Sequence, residues 1–229
     1  MEKDFAQLAA KLGCTFKNLD LLQQALVHRS YLNENPNFRL AHNERLEFLG
    51  DAVLEFVVTE FLYNKYPNPE GELTNWRASL VNANTLANIA SELGLQEYLF
   101  LSRGETKDTG KARHYILANA YEAVLVAIYL DQGIRASKKF ITTNLLPKLP
   151  GILEHRLYQD PKSTFQEMAQ EKHTITPTYK VMDQWGPDHA KNFRVGVYLN
   201  ESLVATGEGS SKQEAEVKAA EQGLKAKGW

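Results

Sequence analysis

The sequence predicts an α+β protein of two domains, an all-α domain followed by a small α-β-β-β-α module. Three observations predict it. The 229 residues exceed a typical single domain and suffice for one sizeable core plus a small appended module. From Asp4 to about Leu146, apolar residues recur mostly at spacings of three and four. Beyond residue 161 the period changes to two over three short segments, and a final helical run closes the chain.

Taken in order, the punctuators "NENPN", "YPNPEGE" and "SRGETKDTG" divide the first region into helices. "HNERLEFLGDAVLEF" (His42 to Phe56) reads as one amphipathic helix. "ILANAYEAVLVAIYLD" reads as another, with Leu117, Val124, Leu125 and Ile128 buried. In "LLPKLPGILEHRLYQDPK" prolines and a glycine precede a short helical patch, and Asp160-Pro161 breaks the chain again. The expected division is therefore 1–154, a linker over 155–161, and 162–229. In the second part residues 162–172 look helical, and "TYKVMD", "NFRVGVYL" and "SLVATGEG" read as strands, Phe193, Val195 and Val197 alternating in the second. Asn200-Glu201 makes a tight turn between the last two strands. "SSKQEAEVKAAEQGLKAK" ends the chain as a helix with Ala215, Ala219, Ala220 and Leu224 on one side and Ser210 or Ser211 as its cap.

Composition sets limits on function. Lysine and arginine total 26 against 28 acidic residues, a net charge of -2, so the totals show no basic nucleic-acid binder. Residues 160–229 alone carry nine basic against ten acidic residues. The single cysteine, Cys14, rules out an internal disulfide, and the "MEKDF" start lacks the apolar stretch of a secretory signal. The apolar run "AVLVAIYL" is far short of the roughly 20 residues a membrane span needs. The expectation is a cytoplasmic protein with no membrane partner and no small-molecule cofactor.

On a helix Glu44, Glu47, Asp51 and Glu55 share one side, with Leu46, Leu49, Val53 and Val57 opposite. A solvated acidic face is one reading. Against it, like charges at i,i+4 disfavour a helix, and the only cation in the run, Arg45, points elsewhere. Asn119 and Glu122, at i,i+3 on the second helix, begin a strongly apolar run and would need partners if they faced inward. Oxygen donors from two helices, three or more of them carboxylates, suit magnesium or manganese, and no Cys/His cluster competes for zinc. Spacing alone leaves the solvated face and the metal site both open.

"HNERLEFLGDAVLEF" closely resembles the signature of bacterial ribonuclease III, a double-stranded-RNA endonuclease. "LDLLQQALVHRSYLNEN", "PEGELTNWRASLVNANTLANIASELGL" and "ILANAYEAVLVAIYLDQG" resemble further segments of that family, in its order. The last part, with "GPDHAKNF" and "SSKQEAEVKAA", resembles a double-stranded-RNA-binding domain. The resemblance implies metal ligands at Glu47, Asp51 and Glu122, with Asn119 at the fourth ligand position. The family's better-known form has aspartate there; asparagine offers a carbonyl oxygen without charge. It further implies that Glu44 is a supporting catalytic acid and that Glu70 is an acidic position where RNA lies at the cleavage site. Phe48 matches the aromatic of the family's homodimer interface, although by itself it reads equally as core. Glu55 matches no ligand and reads as surface charge.

The implied activity is hydrolysis of duplex RNA to 5′-phosphate and 3′-hydroxyl ends, dependent on Mg2+ with Mn2+ able to substitute. The implied role is the processing of ribosomal-RNA precursors and other RNA, messenger RNA included. Contacts to RNA fall by resemblance on Gln166 and Gln170, on His189, and on Ser211 with Lys212. Taken alone, His189 reads as an exposed loop histidine, His28 as structural, and Lys107, Lys111 and Arg113 as surface loop charges. A rival reading is a dimer that binds double-stranded RNA and cuts poorly because Asn119 replaces a charged ligand.

Overall fold

The structure is a computed structural model and describes residues 3–107, 110–156, 158, 160–187 and 190–229. It divides into two compact units, Met1–Tyr158 and Gln159–Trp229.

In the first unit, polar side chains start helices that apolar periodicity then extends. Asp4, Asn18 and His28 accept backbone N–H bonds at the heads of α1 (Phe5–Lys11), α2 (Leu19–Ala25) and α3 (Arg29–Glu34). After α4 (Glu44–Lys65) and α5 (Glu70–Leu80), Asn82 does the same for α6 (Ala83–Glu92). The remaining α-helices among the described residues are α7 (Arg103–Lys107), α8 (Lys111–Gln132), α9 (Ile134–Asn144) and α10 (Leu149–Glu154). Helix α8 packs against α2, α4, α6 and α9, and every side chain from Ala123 to Ile128 is cut off from solvent. The run "AVLVAIYL" is apolar all round from Ala123 to Ile128 because that part of the helix is enclosed on all sides, and its last residue, Leu130, reaches the surface.

Helix α4 buries Leu46, Gly50, Val53, Leu54, Val57, Val58 and Leu62. This face is rotated toward Gly50, Leu54 and Val58 relative to the expected one, so Leu49 is left exposed and Glu47 is drawn to the rim of the core. The cause is a close crossing with α8. A Cβ added to Gly50 would lie 2.4 Å from the carbonyl oxygen of Glu122, so only glycine admits this approach.

The second unit runs α11 (Pro161–His173), β1 (Thr178–Trp185), β2 (Asn192–Leu199), β3 (Ser202–Gly209) and α12 (Lys212–Lys227), the strands forming an antiparallel sheet in the order β1-β2-β3. Asp160 caps α11, and Pro161 occupies its first turn, where a missing N–H is harmless. Asp160-Pro161 thus opens an element where the sequence suggested a break. Strand β1 continues to Trp185, past the expected end at Asp183, across an irregularity between Val181 and Asp183. Asn200 takes φ 54° in the β2–β3 turn. A Cβ on Gly207 would come 2.2 Å from the Ala219 nitrogen, so α12 lies directly on β3. Phe165, Ala169, Val197, Leu199, Ala219 and Ala220 form the core between sheet and helices. The architecture is the α+β arrangement the sequence predicts, and among the described residues no helix is long and apolar enough to cross a membrane.

Candidate active site

Helix α4 carries the acidic stripe, and α8 brings Asn119 and Glu122 against it where the two helices meet at Gly50. The charge of the stripe is relieved at its two ends. The Glu44 carboxylate lies 3.6 Å from Nη1 of Arg29 and 3.7 Å from Nδ1 of His42. Glu55 lies 3.5 Å from Nε of Arg77, whose Nη1 donates to Thr59 Oγ1 at 2.9 Å. In the middle there is no such relief: among the described residues Glu47, Asp51 and Glu122 join no ion pair.

The electrostatics follow from that gap. Burial pushes the Glu122 carboxyl up to about 8, and the charges of Asp51 and Glu47 push the same way. Glu47 is also raised, first by burial, then by Glu44, with Asp51 adding; the neighbouring Asn119 amide pulls it back. The carboxyls therefore sense one another across α4 and α8. They are not closed on a common point, since among the described residues no three His, Cys, Asp or Glu side chains form a ready metal cluster. Carboxyls this close disfavour one another's charged forms, so nothing draws them together without a cation between them. Their chemistry nonetheless fits a hard divalent cation, because the carboxylates and the amide carbonyl of Asn119 offer only oxygen donors and the local charge lacks a counterion.

Other predicted residues fall elsewhere. Glu70 is the first residue of α5 and, with Tyr63, Thr74 and Arg77, lines a hollow of ≈ 450 Å³. Phe48 is 83% exposed, which excludes the core alternative. In the second unit Gln166 and Gln170 are exposed on α11, away from buried Phe165 and Ala169. Ser211 caps α12, its Oγ accepting from the Glu214 N–H at 3.1 Å. Lys212 is exposed, its Nζ 5.9 Å from the Phe193 ring centroid. Ser210, Ser211 and Lys212 line a hollow of ≈ 560 Å³ with Lys191, Asn192 and Phe193. His189 lies outside the described residues.

A family model described as ribonuclease-III-like matches residues 18–149, and a double-stranded RNA binding motif matches residues 161–227. The ribonuclease 3 of Enterococcus faecalis is 42% identical over 221 residues, 96% of this chain and 95% of that protein. The chain belongs to the ribonuclease III family. It is accordingly an endoribonuclease. The ribonuclease 3 of Desulforamulus reducens is 45% identical over 215 residues, 93% of this chain and 87% of that one. A solved nuclease domain of ribonuclease III from Campylobacter jejuni, described for flexibility in a region involved in dimer formation, covers 64% of this chain and 99% of its own. It is 37% identical, with a TM-score of 0.58.

Within this ribonuclease III chain, several residues of the site escaped the sequence reading. Arg29 and His42 reach Glu44 from outside α4, and no spacing rule along one helix reveals such partners. Gly50 left a signal, an isolated glycine inside a helical pattern, which costs helix stability and so invites a packing reason. The cluster Lys107, Lys111 and Arg113 is not a loop. Lys107 ends α7, while Lys111 and Arg113 lie in the first turn of α8. Arg113 is half-buried there, its Nη1 enclosed with no hydrogen-bond partner among the described residues. His28 caps α3 and meets Ser30 Oγ at 2.8 Å, a structural role.

Proposed function

We propose that this ribonuclease III protein hydrolyses phosphodiesters of double-stranded RNA in a divalent-metal-dependent reaction that leaves 5′-phosphate and 3′-hydroxyl ends. One observation carries the reading. Among the described residues Glu47, Asp51 and Glu122 sense one another's charge beside Asn119 with no ion-pair partner, on two helices fixed at Gly50, in a chain that also matches a double-stranded RNA binding motif.

Glu47, Asp51, Asn119 and Glu122 would hold the cation, magnesium in the first place and manganese as a substitute. Such a metal, when bound, supplies a water of lowered pKa and positive charge at the scissile phosphate. The protein's own residues fix the geometry. The Gly50 crossing sets the distance between α4 and α8, the Asn119 side chain restrains Glu47, and Arg29 with His42 restrains Glu44, which acts as a supporting acid. Glu70 stands at the edge where the RNA backbone passes. Gln166, Gln170, His189, Ser211 and Lys212 make spaced contacts to phosphates and 2′-hydroxyls, as an A-form duplex requires.

A duplex has two strands to cut, which calls for two sites related by a two-fold axis. The exposed Phe48 supports a homodimer built across that face of α4. Structured precursors of ribosomal RNA and messenger RNA are the proposed substrates. A cytoplasmic location accords with the single free cysteine, Cys14.

The rival, a duplex-binding protein that cuts poorly, draws on the uncharged Asn119. Incubation with a long RNA duplex and Mg2+, then Mn2+, separates the two readings. The nuclease reading expects short duplex products bearing 5′-phosphates from the wild type, and RNA binding without cutting from Glu122→Gln. Binding by both proteins with no cutting in either metal would establish the rival.

A further inference from the structure

We infer that Glu214 is an internal competitor for RNA phosphate: its carboxylate occupies the head of α12 and holds Lys218 away from the substrate, setting the affinity of this surface. The inference rests on the RNA-binding role proposed above for Ser211 and Lys212. Glu214 makes three side-chain contacts. One carboxylate oxygen accepts from the Ser210 backbone N–H at 2.9 Å and from Ser210 Oγ–H at 2.7 Å. The other accepts from Lys218 Nζ at 2.8 Å, one turn further along the helix. Ser210 is also a wall of the ≈ 560 Å³ hollow lined by Ser211 and Lys212.

An amide N–H, a hydroxyl and an ammonium at a helix head are the donor set that binds a phosphate. Here a carboxylate of the same chain takes them first. Those donors hold the Glu214 carboxyl down at about 2, so it stays charged at any working pH. A helix-capping role alone accounts for the Ser210 bonds, since Glu214 reaches back over the helix start as in a capping box, but one residue further, to Ser210 rather than to the capping Ser211. It does not account for the link to Lys218, which adds nothing to the cap and ties up a cation on the same helix that carries Lys212. The neighbouring Lys162–Glu216 pair likewise ties up charge, by joining α11 to α12.

The conservative variant Glu214→Gln separates the roles, because glutamine keeps an acceptor for Ser210 and releases Lys218. Duplex-RNA binding by the full-length protein is measured over a range of salt concentrations in Ca2+, so that affinity is read apart from cleavage. The expected result is several-fold tighter binding, with the slope of log K against log salt steepening by about one, the value for one added phosphate contact. Lys218→Ala should weaken binding at least threefold more in the Glu214→Gln background than in the wild-type background. Glu221→Gln, which removes an exposed charge elsewhere on α12, should leave the slope unchanged. Equal effects of Lys218→Ala in both backgrounds, or the same tightening from Glu221→Gln, would reduce Glu214 to one negative charge among others and overturn the inference. Wild-type protein that binds no duplex overturns the RNA-binding reading and this inference together, whereas wild-type binding with an unaltered Glu214→Gln overturns this inference alone.

Discussion

Glu47 and Glu55 sit two turns apart on one helix, yet their surroundings assign them different work. Glu55 is paired with Arg77, so Glu55→Gln should change the cleavage rate less than about threefold and stability by at most ~1 kcal/mol, as for other partly exposed ion pairs. On the proposed metal site, Asp51→Asn should lower cleavage on the order of 10²- to 10³-fold with the fold intact, since a ligand to a charge-stabilising cation would be worth several kcal/mol in the transition state. Initial rates on a defined duplex, with circular dichroism as the folding control, check both. Glu214 adds a pH dependence of its own. Its carboxyl is depressed in the folded state, so its contribution to stability is present above the ordinary carboxylate range and fades as pH falls toward about 2. Melting curves should therefore show wild type above Glu214→Gln at pH 6, with the gap closing on acidification. The sequence separated these acids only through resemblance. Spacing put Glu44, Glu47, Asp51 and Glu55 on one side, but the cations that neutralise the outer two, Arg29 and Arg77, come from α3 and α5.

At the scale of elements, the contact of α4 with α8 controls the site. A methyl group at Gly50 would meet the Glu122 carbonyl at a distance no packed side chain tolerates, so Gly50→Ala should force the helices apart. The expected cost is about 1–3 kcal/mol in denaturant unfolding, together with loss of cleavage out of proportion to it, because Asn119 and Glu122 would move relative to Glu47 and Asp51. Most elements were legible because local chemistry marks them: the apolar run of α8, the alternation of β2 and the Asn200-Glu201 turn. What escaped was set by tertiary packing. The buried face of α4 turns toward Gly50 and away from Leu49 because of where α8 lies, and a single helix's pattern does not record its neighbour. Asp160-Pro161 misled for a related reason, since proline ends one helix and begins another by the same chemistry.

Across the whole molecule, the proposed cutting centre is acidic while the RNA motif is nearly balanced in charge. Phe48, Phe56 and Tyr63 stand out from one side of α4 at 83%, 57% and 77% exposure, a surface that a homodimer would cover. Phe48→Glu should shift sedimentation from dimer to monomer and abolish coordinated cutting of both strands. If the proposed metal reverses the local sign, activity should depend on cation supply more steeply than binding does. The most direct test is therefore the cleavage rate of one duplex, at saturating RNA, across a Mg2+ titration for wild type, Asn119→Asp and Glu122→Gln. Wild type should give a saturating curve, Asn119→Asp half-saturation at lower Mg2+ because a fourth carboxylate is added, and Glu122→Gln no cleavage at any Mg2+. Cleavage by Glu122→Gln with the wild-type dependence on Mg2+ would contradict the proposed metal site.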